Sequence, residues 1–398
     1  MPTQRLSQAE FIAMIAMLFA TIAFSIDAML PALPEIVREL TPDAPNHAQL
    51  IITSFVLGMG LGTFFAGPLS DTFGRKSVIV AGAGLYCVAA VAAYFAQSLE
   101  VLLLCRVVQG LGAAGPRIVS LAMVRDLYRG REMARVVSFA MMIFTLVPAV
   151  APLIGTFIIA GLGWRGIFLA FVLFSVVSIV WMMLRQGETL PAEARRPLEA
   201  ARLKAAFREV LSHRLIVTTT IVQTLILACL FGTISSTQQI FDVTFDKSAS
   251  FPFWFAAIAL MAGSASLINA AVVVRLGMRF LITVTLCMQI VMALVMAGMT
   301  GFDLWPASLA FPAYVIWTTS VFFMAGLTLG NLNALALEPV GHIAGMAASV
   351  TGAISTVFAV ALAAPLGLAF NGTPVPLATG VMVLAMIALG LMLSIPRR

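Results

Sequence analysis

Asp27 is the one carboxylate that falls well inside an apolar stretch of this chain, and Arg106 and Arg117 are the guanidinium groups that do the same. A charged side chain at mid-membrane depth costs about 2.5–3.5 kcal/mol on insertion scales, so such a residue normally has a partner or a task. Asp27 lies about eight residues from the outer end of its run, roughly 12 Å deep, and Arg106 lies roughly 9 Å deep by the same rise per residue. Opposite charges at matching depth invite pairing. A carboxylate there can take up and release a proton, and its two forms would hold Arg106 and a bound molecule differently. The alternative is a permanent ion pair that positions two helices. Arg117 returns to within about 20° of the Arg106 face of a helix. It either points the same way or snorkels to the inner interface, and Pro116 just before it could loosen the helix.

The elements that must position these residues follow from composition. Hydrophobic residues make up 61% of the 398 and charged residues 10%, and mean hydropathy is +1.05. A soluble domain averages about 25% charged residues, so this chain cannot cover itself with a polar surface. Its apolar residues come in blocks of roughly 20, the length a helix needs to cross the hydrocarbon. Lipid leaves backbone polar groups unsatisfied, so the blocks must be helices or a closed barrel. Period-two alternation is absent, which excludes the barrel. The fold class expected is an all-α integral membrane protein with twelve transmembrane helices in two six-helix halves. Spans are expected near residues 10–34, 48–70, 77–97, 100–125, 134–160 and 164–185, then near 213–240, 251–274, 278–299, 306–336, 342–369 and 375–396. The halves are 1–187 and 213–398, with a cytoplasmic linker over 188–212. The first block, Phe11 to about Pro34, is too long for a signal-peptide core.

Lys and Arg set the orientation. With the N-terminus inside, 18 of the 23 fall on the cytoplasmic side, from Arg5 through the Arg125–Arg135 group to Arg397 and Arg398. Only Arg38, Arg165 and Lys247 fall outside. Both termini are therefore expected in the cytoplasm. The net charge of +6 is a topology signal and gives no support to nucleic-acid binding. Cys87, Cys105, Cys229 and Cys287 lack metal-ligand spacing and read as small buried hydrophobes, so neither a metal nor a cofactor is expected. No catalytic set appears, which argues against an enzyme.

In the linker, Leu203, Phe207 and Val210 recur at helical spacing beside Arg202, Lys204 and Arg208, the pattern of an amphipathic helix on the inner leaflet and a tether between halves. A weak repeat supports duplication. Asp71, Gly74, Arg75 and Lys76 lie between spans two and three, while Arg275, Gly277 and Arg279 lie between spans eight and nine. The second copy has Val274 where the first has Asp71.

The run GPLSDTFGRK over residues 67–76 resembles the signature of the major facilitator superfamily. DAMLPALP over 27–34 is similar to a span-one motif of the Bcr/CflA-type drug:proton antiporters, with Ala28 and Met29 in place of a Met-Tyr pair. RVVQGLGA from Arg106, and Arg125 and Asp126 at that helix's inner end, resemble the fourth-helix pattern of proton-coupled members. Val147 to Gly155, with Pro148 and Pro152, looks like the antiporter motif of the fifth helix without its first glycine.

The resemblance implies a secondary active transporter that exports small amphiphilic compounds or drugs in exchange for protons by alternating access. The rival is a proton-coupled uptake symporter for a small nutrient. Helices one and four of that fold line a central cavity, which makes an Asp27–Arg106 contact possible and casts the pair as the proton-coupling site. Candidate substrate contacts are Met29, Gln109, Arg117, Gln223, Asn331 and Asn333; any of the amides could instead glue helices together, worth about 0.6 kcal/mol. Asp71, Gly74, Arg75, Lys76 and Arg125 are implied as a conformational latch, Asp71 pairing with Arg75 or Arg125 or meeting a helix N-terminus. Gly110, Gly112, Pro148, Pro152 and Gly155 are hinge or packing positions. Implied partners are a small-molecule substrate, protons and the lipid bilayer of a bacterial inner membrane, with the chain acting as a monomer.

Overall fold

The computed structural model describes residues 6–198 and 200–395; Arg5, Arg397 and Arg398, which bear on orientation, lie outside them. Twelve helices among the described residues are long and apolar enough to cross a membrane, the architecture expected of an all-α integral membrane protein. In chain order the helices are α1 (Gln8–Asp27), α2 (Leu33–Leu40), α3 (Leu50–Phe73), α4 (Arg75–Tyr94), α5 (Leu99–Leu127), α6 (Gly130–Leu162) and α7 (Gly166–Arg185). They continue with α8 (Ala200–Ser212), α9 (Arg214–Gln239), α10 (Phe251–Leu276), α11 (Met278–Gly301), α12 (Ala307–Leu337), α13 (Ala344–Leu368) and α14 (Val375–Leu393).

The helices form two compact units, described residues of Met1–Glu35 with Ser54–Leu203, and Ile36–Thr53 with Lys204–Arg398. The division is not a single cut at the linker, because residues 36–53 cluster with the second unit. There Asn46 donates to the carbonyls of Leu368 and Phe370 at 3.0 and 2.8 Å, and Ser236 donates to Gln49 at 2.8 Å.

The first expected span is not one continuous helix. α1 stops at Asp27, a short 3-10 turn covers Leu30–Ala32, and α2 follows. Proline explains the stop: Pro31 has no N–H to offer the Asp27 carbonyl, and it disfavours helical geometry at Leu30. Serines cap α1 and α5, with Ser7 accepting from the Glu10 N–H at 3.2 Å and Ser98 from the Val101 N–H at 3.4 Å, as N-caps do. The α3–α4 and α10–α11 breaks each consist of one glycine, Gly74 at φ +97° and Gly277 at φ +82°, a conformation that residues with a Cβ rarely adopt. The repeat read from the sequence is thus a repeated backbone turn.

A core of the first unit gathers Phe11, Met14, Ile15 and Leu18 of α1 with Ile79, Val119, Met123, Val136 and Met182. The second unit packs aromatics, with Phe241 5.3 Å from Phe251 and 5.9 Å from Tyr314. Val88, Leu104, Leu173 and Leu267 are exposed, as lipid-facing positions must be.

Candidate functional site

Arg106 is wholly buried in the first unit. Its Nη1 donates to Gln109 Oε1, one turn along α5, at 2.7 Å, and its Nη2 donates to the Ser25 carbonyl at 2.9 Å. That carbonyl is available because α1 ends two residues later, and the last carbonyls of a helix have no partner within it. The guanidinium also stacks on Phe55 of α3, 4.4 Å from the ring centroid, and faces Phe171 of α7 at 5.8 Å, a desolvated cation–π arrangement. Ser25 gives its hydroxyl proton to the Thr21 carbonyl at 2.6 Å. The 2.6 Å contact between Ser25 and Tyr86 therefore has the Tyr86 hydroxyl as donor, since a serine has one proton to give. Four helices meet on one buried cation.

Asp27 ends α1 and is 4% exposed. Among the described residues its carboxylate takes part in no ion pair or hydrogen bond. This corrects the expected pairing with Arg106: matching depth does not become contact, because a side-chain amide and a freed backbone carbonyl bond the guanidinium. Gly155 of α6 lies against the Ala28 backbone, where a Cβ would collide with the carbonyl oxygen. α6 therefore packs directly on the break that carries Asp27.

The other candidates separate. Gln109 is buried as an Arg106 partner, with its Nε2 unbonded. Met29 is fully buried in the turn after α1, so it presents no surface to a ligand here. Arg117 is exposed, its Nη1 3.9 Å from Met59 Sδ of α3, and so does not share the enclosed environment of Arg106. In the second unit Gln223 is half-buried with Oε1 unbonded. Asn331 donates to Asn269 of α10 at 2.7 Å and to the Leu327 carbonyl at 2.8 Å, which makes it glue between helices, while Asn333 is exposed.

Gly110 and Gly112 are packing positions: a Cβ at the first would strike the Phe55 carbonyl, and at the second the Gly82 carbonyl and Tyr86 backbone. Pro148 and Pro152 lie inside α6, which is helical through both.

At the α3–α4 turn, Arg75 pairs with Asp71 and, at 3.0 Å, with Asp126 of α5, and donates to Ser70 at 2.8 Å. Asp71 therefore takes the Arg75 alternative. Arg125 is exposed and outside this cluster; its neighbour Asp126 is the member from α5.

Sequence reasoning missed Ser25, Phe55, Tyr86 and Phe171 around Arg106. Tyr86 had a signal, being one of only four tyrosines and set mid-span; the phenylalanines, among 28, had none.

A family model described as Major Facilitator Superfamily matches residues 13–366. The chain belongs to the Major Facilitator Superfamily. It is 27% identical over 360 residues to a bicyclomycin resistance protein homolog of Haemophilus influenzae, covering 88% of this chain and 87% of that one. It is 37% identical over 147 residues to a chloramphenicol resistance protein of Pseudomonas aeruginosa, covering 37% and 35%. A crystal structure of a D-xylose-proton symporter shares the fold with a TM-score of 0.76 at 12% identity, covering 96% of this chain and 97% of that one. As a superfamily member this chain is a multi-pass membrane transporter of small molecules and not an enzyme, and its similarity to resistance proteins agrees with the drug-efflux branch that its motifs resemble.

Proposed function

We propose that this facilitator-superfamily protein exports small neutral or weakly anionic amphiphiles in exchange for protons, by alternating access across a bacterial inner membrane with both termini in the cytoplasm. The observation that carries the reading is Asp27, a carboxylate 4% exposed at a helix break, without an ion pair among the described residues. A carboxylate clamped by Arg106 would have little reason to change protonation; one left outside that cluster can load and release a proton while Arg106 keeps its neutral partners. The relatives named for resistance to bicyclomycin and chloramphenicol favour export of uncharged drugs. So does charge: Arg106 and Arg117 outnumber Asp27 in the first unit's spans, and a unit cation about 4 Å from one surplus charge meets roughly 4 kcal/mol of repulsion at an effective dielectric near 20.

Everted vesicles test this. Chloramphenicol should accumulate and dissipate an imposed proton gradient, ethidium should do neither, and Asp27→Asn should abolish both effects of chloramphenicol with insertion unchanged. Full gradient-driven transport by Asp27→Asn would remove the coupling role, and strong ethidium transport with none of chloramphenicol would overturn the substrate class.

A further inference from the structure

The segment after α7 is more than the tether its composition suggests. α4 begins at Arg75, directly after Gly74, which has no side chain to cap the helix. Its first N–H groups need an acceptor from elsewhere. Glu188 supplies it: Oε1 accepts from the Arg75 N–H at 3.0 Å and Oε2 from the Lys76 N–H at 3.1 Å. The same carboxylate accepts from the Thr189 and Leu190 N–H groups at 3.0 and 3.1 Å, so the strap folds around its own anchor. A negative group at a helix N-terminus is favoured by the helix dipole as well.

Four further bonds tie the end of α7 and the strap to the same turn and its ion-pair cluster. Lys76 Nζ donates to the Met183 and Gln186 carbonyls at 2.8 and 2.9 Å, at the end of α7. The Thr189 hydroxyl donates at 2.8 Å to Asp126 Oδ2, the oxygen that also receives Arg75 Nε. The Arg196 N–H donates to the Asp71 carbonyl at 3.0 Å. Every member of the Asp71–Arg75–Asp126 cluster is thus bonded to residues 188–196 or to their anchor. Gly74 has a second reason to lack a side chain, since a Cβ there would lie 2.7 Å from Glu188 Oε2 and 3.0 Å from Arg195 Nη2.

We propose that Glu188 is a positioning residue of the transport cycle: it fixes the first turn of α4 so that the Arg75 guanidinium enters between Asp71 and Asp126, and so sets how readily that cluster makes and breaks. Thr189 assists by sharing Asp126. The idea rests on reading the α3–α4 turn as a conformational latch. The linker that joins the halves of the sequence is, in its first part, a working member of that latch. A carboxylate that reaches two successive N–H groups is needed; glutamine keeps the length but loses the charge and one acceptor, and alanine loses everything.

Reconstituted full-length protein, with chloramphenicol as the probe, tests the assignment by comparing Glu188→Gln, Glu188→Ala, Thr189→Val and Asp71→Asn. Glu188→Ala should lower Vmax about tenfold, the equilibrium factor of one charge-assisted hydrogen bond, with KM within twofold and only the modest drop in thermal midpoint expected of one lost helix cap. Glu188→Gln and Thr189→Val should fall between it and the native protein. Thr189→Val carries the test if a Glu188 variant does not insert. A reduced Vmax in Asp71→Asn beside native Vmax in the Glu188 and Thr189 variants would overturn the proposal alone, as would losses of Vmax that follow thermal stability in proportion. Native Vmax in Asp71→Asn would sink the latch reading and the proposal with it.

Discussion

Asp27, Arg75 and Arg106 are the charged side chains buried among the described residues, and all three lie in the first unit. The second unit buries hydroxyls and amides instead, including Thr233, Ser236, Gln238, Gln289, Thr318 and Asn331. The contrast extends to satisfaction. Of nine buried side-chain polar atoms without a hydrogen bond among the described residues, eight belong to the second unit and one, Gln109 Nε2, to the first. It extends to packing as well, for Gly58, Gly62, Gly110 and Gly112 of α3 and α5 lie against the backbone of a neighbouring helix. The tight glycines of the second unit, Gly326, Gly367 and Gly380, meet side chains first, and Gly298, Gly330, Gly352 and Gly390 have nothing within 4 Å of an added Cβ. A buried cation must be surrounded at fixed distances or it is not tolerated, so the unit that houses it is tightly keyed. An unbonded neutral group costs only about 1–3 kcal/mol, so the other unit can leave several. Such spare neutral capacity suits the varied uncharged substrates proposed above.

The largest expected effect is at the cation. Arg106→Ala removes two charge-assisted hydrogen bonds, each worth about 1.5–3 kcal/mol, and the contact with Phe55. Resistance conferred on an efflux-deficient bacterium should disappear, and the purified protein should unfold at distinctly lower temperature. Arg106→Lys should recover part of the activity, because an ammonium keeps the charge but cannot span Gln109 and Ser25 with a planar fork. Full resistance in the alanine variant would mean that the buried charge of the first unit has no special standing.

Next comes the same small change made in both units. Gly110→Ala places a methyl against the Phe55 carbonyl and should cost about 1–3 kcal/mol as α3 and α5 are pushed apart. Gly330→Ala meets nothing within 4 Å and should gain up to about 1 kcal/mol from helix propensity. Thermal midpoints in detergent decide the matter, and shifts of equal sign would erase the difference in packing.

How much of this could be read without a structure depends on range. Spans and turn glycines were legible because lipid imposes a length on every helix and a one-residue break demands a left-handed conformation, as at Gly74 and Gly277. Asp27 and Arg106 stood out because charge is rare at depth. Their separation did not, since it depends on Pro31 ending α1 and freeing the Ser25 carbonyl, a consequence two steps removed from spacing. Glu188 was invisible for a like reason: its partners are backbone N–H groups 112 and 113 positions away, which no side-chain pattern announces. Arg125 was preferred to Asp126 because a basic residue at an inner helix end already fits topology, whereas the need of Arg75 for a second carboxylate appears only once α4 and α5 are packed.

The smallest expected effect is the most discriminating, because one oxygen is removed from each unit. Tyr86 and Tyr314 are both wholly buried. Tyr86 donates to Ser25 at 2.6 Å within the Arg106 cluster. The Tyr314 hydroxyl has no hydrogen bond among the described residues, while its ring packs 5.3 Å from Phe245 and 5.9 Å from Trp317. Phenylalanine keeps each ring and its stacking. Tyr86→Phe should therefore cost about 1 kcal/mol, the net worth of an ordinary hydrogen bond, and should slow transport by loosening the residue that orients Ser25. Tyr314→Phe gives up a desolvated hydroxyl that has Thr237 and Thr318 nearby but closes no well-formed hydrogen bond, so stability should change less than at Tyr86 and transport should be unaffected. Chemical unfolding of the two variants side by side makes the measurement. A loss at Tyr314 as large as that at Tyr86 would mean that the second unit satisfies its polar groups as strictly as the first.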